Sequence, residues 1–80
     1  MIGMLAMEKE SDCRLWRLRK LHQHVDAELR VLAADAGVEL HFYYNGKLSY
    51  ARWFRHEPEA LAEAAIKRAE LEREGWMSHW

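Results

Sequence analysis

The stretch of sequence that decides the fold is Tyr43-Tyr-Asn-Gly-Lys-Leu-Ser-Tyr50, in which aromatic and apolar residues flank the pair Asn45-Gly46. Both residues of this pair tolerate the positive φ angles of a type I′ turn, the turn that best joins two antiparallel strands. The preceding residues 38–44 alternate between apolar and polar side chains, and residues 47–55 supply a returning strand. The pattern therefore predicts a β-hairpin with a two-residue loop.

A two-residue loop also determines which residues lie opposite each other across the hairpin. In this register Tyr44 faces Lys47, and the pairing continues without interruption to Val38 opposite Trp53. One face of the hairpin is then predicted to carry Val38, Leu40, Phe42, Tyr44, Ala51 and Trp53. The other face is predicted to carry Glu39, His41, Tyr43, Leu48, Tyr50, Arg52 and Phe54. A three-residue loop with a bulge at Gly46 would shift the register and regroup these residues.

Two further segments precede the hairpin. Residues 14–20 predict a short first strand with Trp16 and Leu18 on one face. Residues 25–31 alternate, as a half-buried strand does, with Asp26, Glu28 and Arg30 opposite the apolar side chains. The same region also fits a helix, because its apolar residues recur at helical spacing up to Gly37; these residues are Leu21, Val25, Leu29, Leu32 and Ala36. The pattern alone leaves strand and helix open for residues 21–36.

The last element is predicted to be a helix that begins near Pro58 and ends at Gly75. Its apolar stripe is expected to face the sheet and consists of Leu61, Ala62, Ala65, Ile66 and Ala69. The predicted fold class is α+β, with a small antiparallel sheet of about four strands and one C-terminal helix packed on one face. We expect residues 1–12 to be a disordered N-terminal segment, residues 13–76 a single domain and residues 77–80 a mobile tail.

Composition and charge exclude several classes of protein. The net charge of −1 supplies no global field for nucleic acid or for an anionic membrane. The single cysteine, Cys13, cannot form an internal disulfide, which suits a reducing compartment. The apolar start of the chain lacks the basic residues of a signal peptide, and no segment is long enough to span a membrane. We therefore expect a cytoplasmic protein without membrane contacts.

Five short motifs punctuate the chain: Trp16-x-Leu18, Gly37-Val-Glu-Leu40, Asn45-Gly-x-Leu48, Phe54-Arg55, and the closing Lys67-Arg-Ala-Glu-Leu-Glu-Arg-Glu-Gly-Trp76. Together they resemble a type of short uncharacterised bacterial protein that is sometimes carried on mobile gene cassettes. The resemblance covers roughly residues 14–76 and implies a strand-rich body followed by one helix, which favours a strand over residues 25–32. It implies no activity, cofactor or catalytic residue.

Candidate metal ligands and nucleophiles are few. His22 and His24 would lie on the same side of an extended segment, but no third ligand follows nearby. Cys13 lies at the edge of the N-terminal segment and is best interpreted as a small buried or bystander thiol. We predict no metal site and no cofactor.

A cluster of titratable side chains on the hairpin is explained by ordinary cross-strand pairing and requires no catalytic role. Glu39 and Arg52 form a predicted cross-strand ion pair, and His41 and Tyr50 form the neighbouring aromatic–polar pair. Such pairs are ordinary on the solvent side of a sheet. Because the sequence implies no nucleophile and no cofactor loop, we predict no catalytic residue.

The aromatic side of the predicted hairpin suggests an interaction surface. If the helix covers the other side, an exposed apolar patch remains, and such patches usually mark interfaces. The predicted binding residues are His41, Tyr43, Leu48, Tyr50, Arg52 and Phe54. We therefore predict a non-enzymatic interaction module that associates with its own copy, with a homodimer favoured. An unidentified protein or small-ligand partner is the other option for this surface.

A different function, the binding of single-stranded nucleic acid or another anionic ligand, is the alternative. Aromatic side chains beside cations can stack unpaired bases. The cations in question are Arg14, Arg17, Arg19, Lys20, Arg52 and Arg55. Against this alternative, Asp26, Glu28 and Glu39 are expected on the same face, and the net charge is slightly negative.

Overall fold

The computed structural model describes residues 11–78, which form an antiparallel sheet of five strands with one helix on one face. The first four strands follow one another as a meander: β1 (Ser11–Lys20), β2 (Gln23–Val31), β3 (Val38–Tyr44) and β4 (Lys47–Phe54). Helix α1 (Glu57–Arg73) follows, and a two-residue strand β5 (Met77–Ser78) completes the sheet. The spatial order of the strands is β4-β3-β2-β1-β5. The predicted α+β class is confirmed, with one strand more than expected.

The segment with two interpretations, residues 21–36, contains a strand and not a helix. Strand β2 lies in the middle of the sheet, so both of its edges find backbone partners, in β1 and β3. Its alternate residues Val25, Ala27 and Leu29 are buried in the core. A short 3-10 turn (Ala33–Asp35) then leads into β3. Burial of one face together with pairing on both edges outweighs the local helix propensity.

The hairpin forms with the predicted two-residue turn, but β4 contains a bulge. Asn45 and Gly46 have φ angles of 53° and 84°, as a type I′ turn requires. Tyr44 pairs with Lys47 and Tyr43 with Leu48, in the predicted register. The register then shifts by one residue, so that Phe42 lies opposite Tyr50 and not opposite Ser49.

The bulge moves the later residues of β4 to the opposite faces from those predicted, because side chains alternate along a strand. Tyr50, Arg52 and Phe54 lie on the side of α1, and Ala51 and Trp53 lie on the other side. The predicted hairpin faces are therefore wrong beyond Ser49. The ring of Tyr50 stacks on Phe42 in the core, with 5.1 Å between the ring centroids.

Helix α1 ends as predicted, with Gly75 in the left-handed region at φ 101°. The N–H of Gly75 donates to the carbonyl oxygen of Glu72, and that of Trp76 donates to the carbonyl oxygen of Leu71. These two hydrogen bonds define a Schellman motif, and the side chains of Leu71 and Trp76 are both buried in the core, as this motif favours. These two buried side chains therefore anchor the C-terminal end of the helix in the core.

The face that α1 turns to the sheet differs from the predicted one. The buried residues of the helix are Ala60, Ala64 and Leu71, whereas the predicted stripe is mostly exposed, with Ile66 59% exposed. The aromatic rings of the sheet explain which face of the helix is buried. Trp16 lies beneath the helix and donates its indole N–H to the carbonyl oxygen of Ala64 at 3.2 Å. Two small alanines fit above these rings where larger side chains would clash.

The boundaries of the domain are slightly wider than predicted. Ser11 and Asp12, which we assigned to the N-terminal segment, belong to β1. Met77 and Ser78, which we assigned to a mobile tail, form β5 by pairing with Arg19 and Leu18. The rest of the two predicted terminal segments, residues 1–10 and 79–80, lies outside the described residues. Among residues 11–78, no helix is both long enough and apolar enough to cross a membrane.

Candidate functional site

The side of the sheet opposite α1, which we call the open face, carries three rows of side chains. The strand pairings define these rows, because directly paired residues of antiparallel strands point to the same face. Each row runs from β1 through β2 and β3 to β4. The rows are Arg17, Asp26, Tyr43 and Leu48; then Arg14, Glu28, His41 and Ala51; then Asp12, Arg30, Glu39 and Trp53.

The β1 and β2 part of the open face, which we call the charged half, consists of Asp12, Arg14, Arg17, Asp26, Glu28 and Arg30. Its central contact is bidentate: Arg17 donates from Nε and Nη2 to the two carboxylate oxygens of Asp26, at 2.6 and 2.9 Å. These hydrogen bonds lower the pKa of the buried Asp26 carboxyl, although burial alone would raise it. The charged half therefore supplies its own counter-ions.

Arg30 extends this network towards β3. Its Nη2 donates to the hydroxyl oxygen of Tyr43 at 2.9 Å, and its Nε lies 3.7 Å from Glu28 and 3.9 Å from Asp12. Burial disfavours the charge on Arg30, but Tyr43 and the two carboxylates outweigh this effect and raise the pKa of the guanidinium. The charged half is thus held together by contacts across three strands.

His41 lies in the middle of the open face and is buried. Its Nε2 lies 3.0 Å from Oε1 of Glu39, and its Nδ1 lies 3.5 Å from the hydroxyl of Tyr43. When Nε2–H donates to Glu39, Nδ1 accepts from Tyr43, whose oxygen in turn accepts from Arg30. His41 is therefore engaged on both ring nitrogens and links Glu39 to Tyr43, whose hydroxyl in turn contacts Arg30 of the charged half.

The β3 and β4 part of the open face carries His41 and Glu39 together with four further residues, which we call the apolar half: Tyr43, Leu48, Ala51 and Trp53. Leu48 and Trp53 are 53% and 52% exposed, and Ala51 between them is also exposed. The Trp53 indole is nevertheless held in place, because its Nε1–H donates to the carbonyl oxygen of Ala36 at 2.8 Å. Gly37, at φ 96°, allows this contact, since a Cβ at that position would lie 2.6 Å from the indole nitrogen.

The structure divides the predicted binding residues between the two faces. His41, Tyr43 and Leu48 lie on the open face as expected. On the side of α1, the hydroxyl of Tyr50 donates to Glu63 at 3.2 Å, the guanidinium of Arg52 lies 3.8 Å from Glu63, and Phe54 is buried beneath Arg52. Ala51 and Trp53 take their place on the open face. The sequence offers no signal for this exchange, because no glycine marks the bulge near Ser49.

The six cations of the nucleic-acid alternative do not share one surface. Two of them lie on the charged half beside Asp26, and two lie near the end of β1, where they donate to backbone carbonyl oxygens. One lies on the side of α1, and the last lines a cavity of about 560 Å³ near the start of that helix. In this order they are Arg14 and Arg17, Arg19 and Lys20, Arg52, and Arg55.

Within residues 11–78, no group of three or more histidine, cysteine or acidic side chains is arranged to hold a metal ion. His22 lies in the turn after β1, and His24 lies in β2, so they do not form the extended pair considered above. Cys13 is an exposed thiol on β1.

Comparison of the chain with protein-family models, with curated proteins and with solved structures found no match. The candidate site, the open face, is therefore assigned from its geometry.

Proposed function

We propose that this chain is a small interaction module that associates with a second copy through the apolar half of its open face. The observation that carries this proposal is the exposure of Leu48 and Trp53, each about half exposed, on the same face with Ala51 and Tyr43 close by. Large apolar side chains grouped on one surface are typical of interfaces. Aromatic side chains such as Trp53 are also the commonest binding anchors.

The charges of the open face favour contact through one half only. In the charged half, the contact of Arg17 with Asp26 is already bidentate, so burial under a partner would remove water and add no new pairing. Burying the apolar half instead removes hydrocarbon from water, which contributes roughly 25 cal/mol per Å². The free energy of association therefore comes from the side of β3 and β4.

A second copy is a suitable occupant because an apolar patch is complementary to itself. A two-fold axis through the apolar half would place Leu48 and Trp53 against the same residues of the other chain, as in an isologous dimer. The hydrogen bond from Trp53 to Ala36 holds the ring before binding, so little side-chain entropy is lost on association.

Sedimentation equilibrium of the purified chain tests this proposal. At tens of micromolar we expect a mass at least twice the 9.5 kDa of one chain. Leu48→Glu places a charge in the apolar half and should return the protein to a monomer at the same concentration, because the charge must be desolvated on pairing.

The matched control is Ile66→Glu on α1, on the other side of the sheet from the apolar half, where the replaced side chain is equally large and similarly exposed. This variant should keep the mass of the unmodified protein. A monomeric unmodified chain, or equal losses of mass in both variants, would refute the proposal.

A further inference from the structure

On the side of α1, the helix and the hairpin enclose a cavity of about 360 Å³. This volume lies within the range of small-molecule sites, roughly 300–1,000 Å³. Because Tyr44 and Tyr50 pack against the core on the helix side, the sheet separates this cavity from the apolar half. Two tyrosine rings, one aliphatic side chain and three charged groups line it, namely Tyr44, Tyr50, Ile66, Glu63, Lys67 and Glu70.

The sheet side of the cavity is aromatic. Trp16, Phe42 and Tyr50 form a continuous stack, with 5.8 and 5.1 Å between successive ring centroids. Tyr50 is the last ring of this stack and is only partly buried, whereas Trp16 and Phe42 belong to the core. On the helix side of the cavity, Ile66 is 59% exposed. A flat ring between sheet and helix can therefore contact Tyr50 on one side and hydrocarbon on the other.

The helix side of the cavity is negatively charged. Among residues 11–78, its charged side chains are two carboxylates and one ammonium, those of Glu63, Glu70 and Lys67, which share one flank of α1. The Nζ of Lys67 lies 3.9 Å from Oε1 of Glu70, which is beyond hydrogen-bond distance. The excess of carboxylate favours a cationic ligand over an anionic one.

Glu63 is the carboxylate that lies next to the aromatic stack. The hydroxyl of Tyr50 donates to its Oε2 at 3.2 Å, and the guanidinium of Arg52 lies 3.8 Å from the same oxygen. Its other oxygen, Oε1, accepts no hydrogen bond from residues 11–78. An ammonium group at Oε1 would form a charge-assisted hydrogen bond beside the Tyr50 ring, where a cation–π contact adds to it.

We infer that this cavity binds an arylalkylamine, a small aromatic ring joined by a short aliphatic chain to a protonated amine. The ring extends the stack at Tyr50, and the ammonium donates to Glu63. Glu70 adds electrostatic attraction at longer range. An aromatic carboxylate would meet like charge from both glutamates, and a simple alkylamine would leave the aromatic wall in water.

Titration of the isotope-labelled chain with phenethylamine, followed by nuclear magnetic resonance, tests this inference. We expect saturable shifts at the amides of Ser49, Tyr50 and Lys67, with a dissociation constant on the order of 1 mM for so small a ligand. The indole N–H of Trp53, on the open face, should not shift. The absence of saturable shifts up to about 20 mM would overturn the inference.

Two matched ligands separate the contribution of the ring from that of the charge. Phenylpropionate has a similar ring and chain but a negative charge, and should bind at least about tenfold more weakly than phenethylamine. Ethylamine keeps the positive charge but lacks the ring, and should also bind at least about tenfold more weakly, because it buries less apolar surface. Binding of either ligand as tightly as phenethylamine would refute the inferred ligand class.

Substitutions on α1 locate the ammonium. Glu63→Gln removes the charge, keeps an oxygen that accepts from Tyr50, and should weaken binding about fivefold. Glu70→Gln should weaken it about twofold, because its charge acts at longer range. The matched control is Glu72→Gln, which makes the same change at a carboxylate paired with Arg68 outside the cavity, and should bind normally. Equal weakening in all three variants, or none in Glu63→Gln, would contradict the assigned site.

The same titration in Leu48→Glu separates this site from the proposed association. The dissociation constant for phenethylamine should be unchanged, because the apolar half lies on the other face of the sheet. A monomeric unmodified chain that binds phenethylamine would refute the association and leave the cavity site intact. Loss of binding in Leu48→Glu would place the ligand between two copies and refute the cavity site.

Discussion

The charged half and the apolar half lie side by side on one face of one sheet, yet they differ in how far their side chains are paired and shielded from water. In the charged half, Asp26 is buried under a bidentate contact from Arg17. In the apolar half, Leu48 and Trp53 are about half exposed, and α1 lies on the other side of the sheet. Outward-facing side chains of a sheet therefore indicate an interface where they are large, apolar and still about half exposed, and not where they already form ion pairs with each other.

The first prediction compares the loss of stability when a tryptophan of the core or the tryptophan of the apolar half is replaced by alanine. Trp16 is 3% exposed and stacks on Phe42, so Trp16→Ala should lower the free energy of unfolding by about 3–5 kcal/mol. Trp53→Ala loses one hydrogen bond and partial packing, and should cost about 1 kcal/mol. Urea unfolding measures both variants. Equal losses would mean that Trp53 belongs to the core and not to an interface.

The second prediction breaks the charged half. Asp26→Asn keeps one acceptor oxygen but replaces the other with an NH2 donor, so one of the two Arg17 hydrogen bonds is lost. It also removes the negative charge that faces the partly buried Arg17 guanidinium. We expect the free energy of unfolding to fall by about 1–3 kcal/mol. Sedimentation of the same variant should show no loss of association, because the apolar half is intact. A variant as stable as the unmodified chain would show that this ion pair is not structural.

The third prediction concerns the dependence of folding stability on pH. The pKa of Asp26 is lower in the folded chain than in the unfolded chain, so its contribution to stability is present above the unfolded pKa, about 3.9. The contribution is lost as the pH falls from about 5 through the lowered folded pKa. The difference in stability between the unmodified chain and Asp26→Asn should therefore shrink between about pH 5 and pH 2. A constant difference over this range would contradict the assigned cause of the shift.

The smallest effect on the fold is expected in the apolar half. At submicromolar protein concentration, Leu48→Glu should change the free energy of unfolding by about 0.5 kcal/mol or less, because the side chain is largely in water. The same substitution should abolish association at tens of micromolar. Thermal unfolding followed by circular dichroism measures the first quantity. A large loss of stability would mean that Leu48 supports the fold directly.

Much of the fold could be predicted from local patterns. The pair Asn45-Gly46 defined the turn, the alternation in residues 25–31 matched a central strand, and Gly75 marked the end of the helix. Each of these features depends on residues adjacent in sequence. The turn and the helix end also require backbone angles that few residues adopt, so their signals are specific.

The composition of the open face could not be predicted in the same way. The bulge in β4 is not marked by glycine, and it exchanged Tyr50, Arg52 and Phe54 for Ala51 and Trp53 on that face. Alanines lie all around α1, so the sequence supports more than one buried stripe. The choice of Ala60 and Ala64 depends on rings that other strands supply, and local periodicity does not contain this information.

The central claim is that the chain associates through the apolar half and not through the charged half. Nuclear magnetic resonance spectra recorded over a dilution series from hundreds of micromolar to a few micromolar test it residue by residue. We expect concentration-dependent shifts at the amides of Leu48 and Ala51 and at the indole N–H of Trp53, with the signals of Arg17 and Asp26 unchanged. Shifts at Arg17 and Asp26 without shifts at Leu48 and Trp53, or no dependence on concentration at any of these signals, would contradict the account.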